Sequence, residues 1–309
     1  MPTATAPRPP RPFGAVLTAM VTPFTTDGAL DTAAAAALAD RLVAEGHDGL
    51  VVSGTTGESP TTSDEEKDRL LRAVLEAVGD RASVVAGVGT NDTAHTCELA
   101  RAAEKAGAAG LLVVTPYYSK PPQPALLHHF RTAADATGLP VMLYDIPGRS
   151  GVAIDTETLV RVAEHDRVVA VKDAKGDLTA TSWVMARTEL AYYSGEDALN
   201  LALLAHGASG VVSVVGHVAG RQYRQLVDAV DAGDLGTARA VHTRLLPAVR
   251  AIMNRTQGVV AAKAALQLTG ALATRTTRPP LLEATPEEVA LLRTDLDAAA
   301  LLPGPPQDT

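Results

Sequence analysis

Residues 84–115 read VVAGVGTNDTAHTCELARAAEKAGAAGLLVVT, and the fold follows from their pattern. A short run of valine and alanine ends at Gly87. A helical stretch, 93–106, then closes with Lys105 and Gly107, the basic residue and the glycine that a helix end favours. A second apolar run, 110–115, follows at once. Each run is too short for a helix and is bounded by glycine or a turn-forming residue, so the unit reads strand–helix–strand. On either side, similar apolar runs fall at 15–18, 49–53, 141–144, 168–172, 191–194 and 210–213. Amphipathic stretches lie between them, including 32–45 and 63–78. The latter opens with Ser63 and, three residues on, Glu66, a capping-box pair. Eight strands alternating with helices predict an α/β fold, a (β/α)8 TIM barrel. A doubly wound sheet competes, but neither G-x-G-x-x-G nor G-x-x-x-x-G-K-[ST] follows any strand. After Ser213 the pattern turns wholly helical, at 219–232, 235–253, 259–268 and 286–299, a small C-terminal helical appendix. The expected organisation is a disordered tail over 1–12, the barrel over 13–233, a helical region over 234–302 and a disordered tail over 303–309.

Composition agrees with a buried parallel sheet. Of 309 residues, 46% are hydrophobic but only 3% aromatic, so the core is built from small aliphatic side chains. The 27 basic and 35 acidic residues give a net charge of −8, which argues against a nucleic-acid-binding face or an anionic membrane surface. No apolar run approaches the ~18 residues of a membrane span. The proline-rich start has no apolar segment of a signal peptide. The lone Cys97 lies in an alanine-rich helix and is expected only to pack. A soluble, cytoplasmic protein is expected.

In a barrel, chemistry sits where strands end. Strand two ends in Ser53-Gly54-Thr55-Thr56-Gly57-Glu58-Ser59, a turn that offers amides and hydroxyls to an anion or serves simply as a helix-capping loop. Strand four ends in Thr115-Pro116-Tyr117-Tyr118, and strand five in Tyr144-Asp145-Ile146-Pro147-Gly148-Arg149. Arg149 could equally make a surface ion pair. Strand six carries the sharpest feature, Val168-Val169-Ala170-Val171-Lys172-Asp173. Of six lysines, only Lys172 ends an apolar strand run. Burial there disfavours the ammonium, and a neutral amine is what Schiff-base formation needs. The alternative is a strand-end lysine paired with Asp173 or Glu58. No metal site is expected, since none of the eight histidines has an i,i+2 or i,i+4 partner, and no G-x-S-x-G elbow occurs.

These four strand-end motifs, in this order, resemble the dihydrodipicolinate synthase branch of the N-acetylneuraminate lyase superfamily, class I aldolases that use pyruvate. The resemblance covers roughly 13–301. It implies condensation of pyruvate with L-aspartate 4-semialdehyde in lysine and diaminopimelate biosynthesis, with no cofactor beyond a covalent lysine–pyruvate imine. Lys172 matches the Schiff-base lysine and Tyr144 the tyrosine that moves its protons. Thr55 and Tyr118 match the rest of that relay, with Tyr118 reaching in from a neighbouring subunit of a homotetramer. Thr56 matches the residue that holds the pyruvate carboxylate. Val212 falls where a backbone faces pyruvate. Arg149 matches the arginine for the second substrate's carboxylate, and Gly195 a glycine near it.

Two alternatives remain open here: a lyase for sialic acid or a 2-keto-3-deoxy sugar acid, and a catalytically silent paralogue that binds such metabolites. Arg149 separates the first, because sialic-acid lyases typically lack it. Some members are inhibited by L-lysine at a site between subunits, held by an asparagine and, four residues on, a glutamate. The matching residues here are Asn91 and His95, and two histidines of sensitive members are replaced by Asp64 and Lys67. Insensitivity to low millimolar L-lysine is expected.

Overall fold

Parallel strands close on themselves in chain order: β1 (Val16–Ala19), β2 (Gly49–Val52), β3 (Ser83–Gly87), β4 (Gly110–Val114), β5 (Val141–Asp145), β6 (Val168–Asp173), β7 (Ala191–Ser194) and β8 (Gly210–Ser213). The structure is a computed structural model and describes residues 9–302. Every strand expected from the sequence is present, with ends within about one residue, a normal spread for such boundaries. The helices are α1 (Thr32–Ala44), α2 (Asp64–Val78), α3 (Thr93–Ala106), α4 (Gln123–Asp135), α5 (Pro147–Ser150) and α6 (Thr156–Val162). They continue with α7 (Leu178–Met185), α8 (Asn200–Ala205), α9 (Gly216–Asp231), α10 (Leu235–Asn254), α11 (Gly258–Leu268) and α12 (Pro286–Ala298).

Local chemistry explains most boundaries. Ser63 and Glu66 form the expected capping box at α2, and Gly107 ends α3 at φ 97°, a left-handed turn that suits glycine. The sequence pattern leaves α4–α8 undrawn. The helix α4 starts at Pro122 with no capping side chain, and α5–α8 have only four to eight residues, too few to repeat an apolar face. The helix α9 begins three residues before the expected 219, because one turn precedes a kink at Ala219 (φ −131°, ψ 28°). That turn is tied down by His217, whose Nε2 accepts from the Val21 amide (3.0 Å) while Nδ1 donates to the Val214 carbonyl (2.7 Å).

One correction concerns the N-terminus. The tails expected over 1–12 and 303–309 lie largely outside the described residues. Within them, however, Arg11 is already held: its guanidinium donates to both Asp231 carboxylate oxygens (2.7 Å each) and to the Ser209 carbonyl (2.7 Å). The ordered chain therefore starts before Phe13.

Alternate strand residues fill the barrel. Leu17, Val51, Val85, Leu112, Met142, Ala170, Ala191 and Val212 point inward, and a separate apolar layer packs between strands and helices. A register shift between β5 and β6 near Val141 and Met142 turns Ala170 and Lys172 inward. Phe13 and Tyr193 close the N-terminal end, with the Tyr193 hydroxyl donating to the Gly14 carbonyl (2.9 Å). At the C-terminal end of the chain, α10 packs on α9, α11 and α12, and Arg250 and Arg255 converge on the buried Asp295. Among the described residues no helix is long and apolar enough to cross a membrane.

The seam between β8 and β1 leaves no space for a side chain at Gly210, where a Cβ would stand 2.0 Å from the Ala15 carbonyl oxygen. Gly210→Ala is therefore expected to destabilise the fold by about 1–3 kcal/mol, the usual cost of overpacking. Urea unfolding of the two proteins measures this, and a midpoint equal to the parent's would contradict the close seam.

Candidate active site

The C-terminal ends of β2, β4 and β5 open on a cavity of about 360 Å³. Its wall includes Gly54 and Thr55 after β2, Tyr117 and Tyr118 after β4, Tyr144 at the end of β5 and Arg149 on α5. Four residues singled out from sequence (Thr55, Tyr118, Tyr144 and Arg149) thus share one wall, though three separate loops supply them. Tyr118 stands at the rim, 89% exposed, with φ at 73°, a region that bulky residues rarely adopt. The Arg149 side chain makes no hydrogen bond or ion pair among the described residues, so the structure does not show the surface pair that the sequence left open.

Lys172 lies deeper. The β5–β6 register sets it beside Tyr144, both side chains inside the barrel, and its Nζ is 4.2 Å from the Tyr144 ring centroid. Among the described residues no carboxylate bonds to it. Asp173, one residue on, faces the other way and accepts from the amides of Lys175 (2.8 Å) and Gly176 (3.3 Å) and from the Thr181 hydroxyl (2.5 Å). Glu58 pairs with Lys263 instead. Burial pushes the Lys172 pKa down to about 8; the Asp197 charge opposes that shift and Arg149 adds to it. Burial likewise pushes the Tyr144 phenol up to about 12, against the pull of Arg149 and of a hydrogen bond with Thr55. The amine is thus partly neutral near pH 7 while the phenol keeps its proton. Together they can deliver a nucleophile and a proton donor to one carbonyl.

Besides Lys172, three sequence-selected residues sit elsewhere than on the wall. Thr56 is nearly buried beside Thr55, and Val212 is fully buried in the barrel's apolar interior. Gly195 serves the lysine directly: a Cβ there would come within 2.8 Å of Lys172 Cγ and 2.9 Å of its Cε. Sequence reasoning passed over Asp197, a buried carboxylate after β7. It accepts from Ser213 Oγ (2.5 Å), Asn200 Nδ2 (3.0 Å) and the amides of Val214 (2.9 Å) and Val215 (3.0 Å). Its place at a strand end was a signal, but its partners come from the next strand's loop. Among the described residues no three His, Cys, Asp or Glu side chains gather as metal ligands.

Comparison with known proteins finds the same architecture. The model of the dihydrodipicolinate synthetase family matches residues 12–299. The chain is 78% identical over 305 residues to a 4-hydroxy-tetrahydrodipicolinate synthase of Kineococcus radiotolerans, covering 99% of both chains. It is similar to the lysine-bound crystal structure of such an enzyme from Cyanidioschyzon merolae, at 40% identity and a TM-score of 0.92, over 95% of this chain and 100% of that one. A pyruvate complex of the Acinetobacter baumannii enzyme is 32% identical with a TM-score of 0.90, over 94% of this chain and 100% of that one.

The Asp197 network yields a stability prediction. Asp197→Ala strands the Ser213 hydroxyl and two buried amides, and unmet buried donors cost about 1–3 kcal/mol each. A clear drop in melting temperature is expected by calorimetry; an unchanged one would mean that these donors had found other acceptors.

Proposed function

The chain belongs to the dihydrodipicolinate synthetase family, and from that premise we propose how its cavity carries out the family's reaction. The protein is a lyase of the class I aldolase type that makes 4-hydroxy-tetrahydrodipicolinate for lysine and diaminopimelate biosynthesis. Its substrates are pyruvate and L-aspartate 4-semialdehyde. The observation that carries the mechanism is Lys172: a desolvated strand-end amine with no bonded anion, beside a buried phenol.

In this reading the neutral Lys172 amine attacks the keto carbon of pyruvate. The carbinolamine loses water to give an imine, and loss of a methyl proton leaves an enamine. The enamine carbon attacks the aldehyde, whose oxygen takes up a proton. The adduct's own amino group then adds to the imine carbon and expels Lys172, closing the ring. Each step needs a group that both gives and takes protons. Tyr144, Thr55 and Tyr118 supply it as a relay, the threonine hydroxyl serving as donor and acceptor between phenols. Thr56 and the turn amides hold the pyruvate carboxylate, and the Val212 backbone faces the same substrate. Arg149, a cation with no partner of its own, takes the semialdehyde's carboxylate near Gly195, where bidentate pairing fixes orientation. That free guanidinium suits a carboxylate better than the polyhydroxylated chain of a sugar acid.

The relay is completed between subunits. Tyr118, strained and exposed at the rim of its own chain's cavity, supports a homotetramer in which each tyrosine reaches from that rim into a neighbour's cavity. A cytoplasmic location suits the free Cys97, which no disulfide uses.

Borohydride reduction in the presence of pyruvate is expected to label the peptide that contains Lys172, and Lys172→Ala to abolish the label. The trapping rate should climb about tenfold per pH unit below about 8 and level above it, because only the neutral amine attacks. Labelling at Lys175, or a rate still climbing past pH 9, would contradict the assignment.

The structure also bears on L-lysine. Asp64, which might have replaced the missing glutamate, is occupied: His95 Nε2 lies 2.9 Å and Lys67 Nζ 3.6 Å from its carboxylate. Losing a charge-assisted hydrogen bond of about 1.5–3 kcal/mol weakens an effector roughly tenfold to a hundredfold. Initial rates at saturating pyruvate should therefore hold as L-lysine rises, and half-inhibition below about 1 mM would show that Asp64 had rebuilt the site.

A further inference from the structure

The described reaction makes no use of a second buried lysine. Lys263, on α11, and Glu58, in the turn after β2, form an ion pair whose side chains are each 1% exposed. Lys263 Nζ donates to Glu58 Oε1 (2.5 Å) and to the Thr276 carbonyl (2.7 Å), and lies 4.1 Å from the centroid of the Phe24 ring. The other carboxylate oxygen of Glu58 accepts from the Arg278 amide (2.9 Å). Arg278 in turn stacks on the same ring, binds both oxygens of Glu66 (2.7 and 2.6 Å) and donates to the Gly28 and Thr61 carbonyls. The side chain of Glu58 is thus held wholly by residues from the C-terminal part of the chain.

Its backbone belongs to the active-site turn. Glu58 sits at φ 53°, ψ 38°, a left-handed conformation that costs a residue with a side chain roughly 1–2 kcal/mol. Its amide donates to the Thr55 carbonyl (3.1 Å), and the Gly57 and Ser59 amides both donate to the Gly54 carbonyl (3.1 and 3.3 Å). Residues 54–59 are therefore one tight knot, strained at Glu58. A buried ion pair is a poor source of stability, because desolvating two charges offsets most of their attraction, but it has a unique geometry. Released from Lys263, the Glu58 carboxylate would turn toward water and take the strained backbone with it.

We propose that Lys263 is a positioning residue. Through Glu58 it holds the 54–59 turn in the shape that binds the keto acid's carboxylate, so that the C-terminal helices set affinity for the first substrate. This rests on the reading above that Thr56 and the turn amides hold the pyruvate carboxylate. A merely structural pair would alter melting temperature and leave substrate affinities alone.

Lys263→Met keeps the aliphatic stem and removes the charge. The KM for pyruvate is expected to rise about tenfold or more, since displacements near 1 Å at a site are worth that much. The KM for the semialdehyde, which Arg149 binds from a different loop, should stay within about twofold. A lowered melting temperature with an unchanged pyruvate KM would overturn the proposal. If Lys263→Met does not fold, Glu58→Gln, which preserves size and the acceptor for Arg278, should show the same split, and an unchanged pyruvate KM there overturns it equally. Borohydride trapping against pyruvate concentration separates the two readings. A parent enzyme that does not trap at Lys172 defeats both, whereas a parent that traps and a variant with the same concentration dependence defeat only this one.

Discussion

Lys172 lies near the end of a buried strand with its amine over a phenol ring and, among the described residues, no anion bonded to it, an arrangement that an ammonium resists because it gives up hydration without a full substitute. The barrel imposes it. Strand residues alternate between inside and outside, the β5–β6 register sets Lys172 against Tyr144, and the space that the lysine stem needs is left by Gly195. Once those positions are set, the amine leans toward its neutral form and the phenol toward its protonated one, from the same cause, burial.

Three buried carboxylates near strand ends of the barrel are committed to partners other than this amine. Asp173 closes the turn after β6 and caps it through Thr181. Asp197 gathers the Ser213 hydroxyl and the Val214 and Val215 amides, stitching the β7 loop to the β8 loop. Glu58 is taken by Lys263. Buried acids saturated by their own donors hold loops firmly and have little capacity left for a direct bond to a nearby lysine. Asp197 acts on Lys172 only through its charge, which keeps the pKa from falling further. The mouth is made rigid by anions while the Lys172 amine stays unpaired among the described residues.

The helices beyond the barrel take part in this arrangement. They pack through α10 onto α9, and Asp295 draws in Arg250 and Arg255 from the end of α10. From this base α11 extends Lys263, and the chain after it extends Arg278, to the turn after β2. Phe24 presents one ring to both cations, which partly compensates their desolvation. An appendix whose sequence reads only as amphipathic helix thereby reaches the loop that carries Thr55.

Local periodicity, together with glycine, proline and capping chemistry, was enough to set the strands, their order and the residues that end them. Lys172, Tyr144, Thr55 and Arg149 were legible for the same reason: each closes or follows an apolar run. Several features were out of reach. Arg11 read as part of a tail because Asp231, its partner, lies 220 residues away. Lys263 read as one more helical lysine, since nothing near it announces Glu58. The helix α9 starts before Ala219 because His217 ties the end of β8 to the Val21 amide beyond the distant β1. Those outcomes depend on which side chains face each other after eight strands close in one register. Closure brings together groups far apart in the chain, and only there does desolvation select the lysine that stays unpaired and the one that must be matched.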